Sequence, residues 1–186
     1  MPNRDKFSVS VSLILVGLAL SRFVELPAGK ELVFLSLIIV AEYRTVDPSD
    51  PRYNLARLGL NVAAYLIALV LFALIYRIKA RALLSATATA AGSGLLALEL
   101  LRDTRQSPRR TGLYALIVGL VMGEVIWALN YWRMRSLTAG MSLLLAFYVL
   151  TGLSQQAVLG RLSRRVLLEF GLVALVGVAL LLWLSP

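Results

Sequence analysis

Long apolar runs separated by short polar clusters dominate the chain, and this pattern predicts helices that cross a bilayer. Seven such runs can be marked, at residues 7–26, 32–43, 58–76, 82–101, 111–132, 137–159 and 166–184. A helix needs about 20 predominantly apolar residues to cross a hydrocarbon core of roughly 30 Å, and all but the second run approach or exceed that length. The segment 32–43 reads as a tilted short span, a helix extended back through 28–31, or a re-entrant segment. The expected fold is therefore an all-α integral membrane protein, one transmembrane domain over 1–186. It is a bundle of about seven helices, or six if 32–43 does not span.

The breaks between runs carry their own signals. Pro27 closes the first run, because proline lacks the amide proton that a helix interior uses. Arg4 and Lys6 before an apolar stretch resemble the start of a signal peptide, but Leu18-Ala19-Leu20-Ser21 is a poor small-residue cleavage site, so an uncleaved anchor is expected. Residues 44–57, with Asp47-Pro48 and Asp50-Pro51, form the longest polar connection and read as a surface loop. The sequence offers no linker between domains and no repeat that would mark inverted halves.

Composition sharpens the picture. Hydrophobic residues make up 59% of the chain and charged residues 16%, against about 45–50% and 25% in soluble domains. The chain contains neither cysteine nor histidine. That removes thiolate and imidazole metal ligands, haem ligation by histidine, and Ser-His or Cys-His nucleophilic pairs. The sequence reading is accordingly a non-enzyme with no metal and no cofactor. The Gly92-Ser93-Gly94 segment has a serine but no base beside it, and it fits a packing stripe better.

The net charge of +9 lies in short clusters between the apolar runs and not in a single arm or patch. Anionic lipid head groups are the expected partner, and nucleic acid is not. With seven spans, one side carries twelve basic residues: Arg4, Lys6, Arg44, Arg52, Arg57, Arg102, Arg105, Arg109, Arg110, Arg161, Arg164 and Arg165. Seven lie on the other side, including the tight cluster Arg77, Lys79 and Arg81 that runs against the trend. The positive-inside rule places the amino terminus and the richer side in the cytoplasm of a plasma (inner) membrane.

Two kinds of residue stand out within the spans. Ala86, Ala90 and Gly94 recur every four residues in the fourth run, and Gly112, Ala115, Gly119 and Gly123 form a matching stripe in the fifth. Such stripes let helix backbones approach closely where lipid gives no hydrophobic drive for association. They predict packing of the two helices on each other, on a second copy or on another membrane subunit. The second kind is intramembrane acid. Glu42, Glu99 and Glu169 stand near basic residues at span ends, but Glu124 lies about midway along its run with Leu120, Trp127 and Tyr131 on the same face. A carboxyl at that depth has to be met by a proton, a donor from another helix, or water. Glu124, Trp127 and Tyr131 are thus the candidate intramembrane polar site, with Glu124 expected inside the bundle. Two readings of it remain: a pin that fixes helix register, or a proton, cation or polar-ligand site.

These features point to a non-catalytic polytopic membrane protein, an accessory subunit or scaffold. The alternative is a small transporter or channel component that uses Glu124 for proton or cation coupling. A lipid-modifying enzyme would have only Glu42, Asp47 and Asp50 as clustered acids at the head groups.

The orientation yields a direct prediction. Single Ser107→Cys and Ser163→Cys variants of this cysteine-free chain stay unlabelled by an impermeant thiol reagent in intact cells and label after the membrane is opened; labelling of either from outside contradicts the orientation.

Overall fold

A computed structural model describes residues 52–78, 82–102, 107–132 and 134–184. These residues form five helices: α1 (Arg52–Ile78), α2 (Ala82–Arg102), α3 (Pro108–Leu129), α4 (Ser136–Val158) and α5 (Arg164–Leu184). The expected spans 7–26 and 32–43 lie outside the described residues, so the described part of the fold has five helices and not the seven read from the sequence. Four of the five, α2 to α5, are long and apolar enough to cross a membrane, which marks the chain as a membrane protein. In α1 the apolar stretch is the shorter Ala64–Arg77. This helix also corrects the reading of 44–57 as a loop throughout, since α1 already begins at Arg52. Tyr53, Asn54 and Arg57 are polar yet compatible with helix, so polarity marked the edge of the apolar run and not the end of the helix.

The chain divides into two compact units, 1–70 and 71–186. In the first, α1 buries Ala64, Ile67 and Ala68 and exposes Leu58, Val62 and Leu66. All that follows concerns the second unit.

Helix ends are set by local chemistry. Pro108 occupies the first turn of α3, where its missing N–H leaves no bond unmade. Ser163 caps α5, its hydroxyl accepting from the Val166 N–H at 3.4 Å. At the end of α4, Gly160 takes a positive φ of 67°. There the Arg161 N–H donates to the Gln156 carbonyl (2.9 Å) and the Gly160 N–H to that of Ala157 (3.1 Å). These two bonds form a Schellman closure, which needs the left-handed residue that glycine supplies.

The most extensive packing joins α2 to α3. A Cβ placed on Gly119 would lie 2.6 Å from the Ala90 carbonyl oxygen and 3.2 Å from Gly94 Cα. One on Gly123 would lie 3.1 Å from the Ala86 carbonyl oxygen and 3.2 Å from Ala90 Cβ, and Gly94 faces the Ala115 carbonyl at 3.5 Å. The two backbones touch along these residues in antiparallel register. Gly112 differs: nothing stands within 4 Å of its Cβ position. Antiparallel register carries it toward 97–101 of α2, where leucines succeed the alanines and glycines.

Around this pair, α4 packs on α3 and on α2, and α5 packs on α4. Gly140 of α4 abuts Ala73 of α1, and Phe72 meets Phe147 edge to face at 5.8 Å between ring centres. The largest fully buried apolar side chains are Phe72, Leu96, Leu101, Val118, Met122, Ile126, Leu143 and Phe147. Polar bonds fasten the α3–α4 turn. Tyr76 Oη donates to the Trp132 carbonyl (2.7 Å) and accepts from the Met134 N–H (3.4 Å), while Asn130 Nδ2 donates to Ser85 Oγ (2.9 Å).

Contrasting glycines on one helix give a packing prediction. Gly119→Ala drives a methyl into the Ala90 carbonyl and costs on the order of 1–3 kcal/mol in detergent unfolding, as overpacking does. Gly112→Ala meets open space and is neutral or stabilising by up to about 1 kcal/mol through helix propensity. Equal tolerance at the two positions contradicts the close approach.

Candidate functional site

The face that α3 turns inward consists of Thr111, Ala115, Val118, Gly119, Met122, Gly123, Ile126 and Leu129, all buried. At about 100° per residue, Glu124 falls roughly 180° from the centre of that stripe. It is exposed in the chain, and so are Leu113, Leu116, Leu120, Trp127 and Tyr131. The expectation that Glu124 lies inside the bundle is therefore corrected. Judged from the glycines alone, the inward direction of α3 is displaced toward Glu124. Val118, Met122 and Ile126, which pack just as deeply, pull it away.

Two polar residues of neighbouring helices, Thr87 and Tyr148, make contacts of their own. Thr87 Oγ1 donates to backbone carbonyls of its own helix, those of Leu83 (3.0 Å) and Leu84 (3.1 Å). Tyr148 stacks near Phe170, with ring centres 6.0 Å apart. Among the described residues Glu124 has no hydrogen bond or ion pair. What the structure does bring together is the outward strip itself: Leu120, Glu124, Trp127 and Tyr131 on successive turns of one helix. Glu124 lies five residues before the helix end at Leu129, about 7.5 Å along the axis, so its carboxyl sits within the apolar length of the span.

Several polar groups of the interior bond to nearby backbone. Ser93 Oγ donates to the Thr89 carbonyl (2.6 Å), Thr151 Oγ1 to that of Phe147 (2.7 Å), and Gln155 Nε2 to that of Leu100 (3.3 Å). The fully buried Thr89 hydroxyl has no partner among the described residues. Among the described residues no three acidic side chains stand close enough together to hold a metal ion. The arrangement thus offers an outward-facing carboxyl with aromatic neighbours and a tightly packed interior, but no catalytic constellation within the described residues.

An all-helical bundle with four helices able to cross a membrane defines the class. Within that class, the chain belongs to the family described as a protein of unknown function (DUF5656), whose model matches residues 8–184. No curated protein and no solved structure matches it.

Proposed function

We propose that the protein is a non-catalytic accessory subunit or scaffold of a plasma (inner) membrane complex, and that the outward strip of α3 is where it meets its partner. The observation that carries this reading is Glu124, a carboxyl on the exposed side of a membrane-crossing helix with no intramolecular hydrogen bond among the described residues. Left facing lipid about 7.5 Å from the helix end, an acid carries a cost that reaches about 2.5–3.5 kcal/mol at the helix centre on the lowest insertion estimates. A neighbouring transmembrane helix that brings a basic or hydrogen-bond-donating side chain to the same depth removes that cost. Trp127 and Tyr131, one and two turns further along, supply rigid contact area for such a neighbour. Coupled transport by the chain alone draws less support, since Glu124 lies away from the packed interior.

A photo-crosslinking residue in place of Leu120, one turn from Glu124, tests this in native membranes. The expected result is one discrete protein adduct that disappears when Glu124→Leu is added. The isolated Glu124→Leu protein should keep its unfolding free energy within about 0.5 kcal/mol of the parent, as for a surface change. Adducts with lipid alone contradict the reading, as does an adduct indifferent to Glu124. Glu124-dependent proton or cation flux by the purified protein in liposomes would overturn it in favour of transport.

A further inference from the structure

Beside the outward strip of α3, where Val121 and Val125 line one edge, α3, α4 and α5 enclose an open groove of about 440 Å³. Val125 forms one wall, Leu145 and Ala146 the floor, and Ala174 and Val178 the other wall, with Trp132 at one end. The hydroxyls of Thr138 and Ser142 also reach the lining, but Ser142 Oγ spends its proton on the Thr138 carbonyl at 2.9 Å. The groove is therefore almost wholly apolar. Its shape comes partly from Gly177, which leaves room for Leu145 to nest against the α5 backbone.

Dimensions decide what it can hold. Along α4 the lining runs from Thr138 to Leu150, about 18 Å at 1.5 Å per residue. That matches the half-thickness of a hydrocarbon core, roughly 15 Å. The groove starts at the α3–α4 turn, where the helices end, and reaches toward mid-span, so it has the length of a single leaflet. A volume of about 440 Å³ over that length has room for one extended hydrocarbon chain.

Charge at the mouth selects the head group. Arg135 is exposed next to the lining residue Met134. It is also the residue from which α4 starts, and no side chain caps the first amide groups of that helix. A guanidinium beside free helix N–H groups is complementary to a phosphate. From this we infer that the groove is a lipid site, which takes one acyl chain of an anionic phospholipid with its phosphate against Arg135. The site does not involve Glu124 and stands independently of the proposed subunit interface.

The test uses the purified full chain in mild detergent, titrated with phosphatidylglycerol or with phosphatidylcholine of the same acyl chains and read by native mass spectrometry. The expected result is retention of one phosphatidylglycerol per chain, preferred over phosphatidylcholine by about fivefold, the factor that one basic group near the membrane surface contributes. Arg135→Gln should abolish the preference while leaving some retention of both lipids. Ala174→Phe fills the groove and should lose retention of both. Val178→Trp does the same from a position already half open to the surroundings, so a folding defect in the first variant leaves the second to decide. Leu172→Trp, on the exposed side of α5 away from the groove, should retain lipid as the parent does. No retained lipid in the parent, equal retention of the two head groups, or unchanged retention in a folded Val178→Trp protein overturns the inference.

Discussion

Contact between the backbones of α2 and α3 is the constraint on which the rest of the described fold depends. Apolar helices gain nothing by leaving lipid for one another, so their association has to come from close van der Waals contact and interhelical polar bonds. Gly119 set against the Ala90 carbonyl, with Gly123 and Ala86 one turn along, brings the main chains together without intervening side chains. It also fixes the rotation of α3 about its own axis. Once Gly119 and Gly123 point at α2, and Val118, Met122 and Ile126 fill the core beside them, Glu124 has only the outward direction left.

The same rotation settles what happens at the helix end. With α3 held on α2, Asn130 reaches Ser85 and the carbonyl of Trp132 meets the Tyr76 hydroxyl. The turn is thereby tied to both α1 and α2, and α4 departs from a fixed point. Helix α5 has no such anchoring: none of residues 164–183 is fully buried, and its contacts run to α4. It lies on α4 through Gly152, which receives the Phe170 ring, and through Gly177, which receives Leu145. A helix attached along one edge leaves a cleft beside it, and the apolar groove is that cleft.

Much of this was legible in the sequence, for reasons that differ by element. The last four spans were located to within about three residues at each end, because a run of apolar residues bounded by Arg, Pro or Gly has few other physical readings in this composition. The small residues at 86, 90, 94, 119 and 123 were equally plain, since glycine and alanine at four-residue spacing leave a visible stripe. Gly112 was not separable from them, because its lack of contact depends on leucines of a different helix. The facing of Glu124 was misjudged for a related reason: in a helix that is apolar nearly all round, periodicity does not distinguish the lipid side from the core side. The groove had no sequence signature, being assembled from three helices and shaped by two glycines.

The central claim, backbone contact between α2 and α3, is open to one direct measurement. In this chain without cysteine, Ala90→Cys and Gly123→Cys place two Cβ atoms about 3.2 Å apart, slightly closer than the roughly 3.5–4.5 Å spacing of a disulfide, so a small separation of the helices accommodates the bond. Mild oxidation of membranes carrying the double variant should give a near-complete intramolecular cross-link, whereas pairing Ala90→Cys with Gly112→Cys should give none. Failure of the first pair to cross-link, or equal cross-linking of both, would contradict the packing from which the orientation of Glu124 and the position of the groove follow.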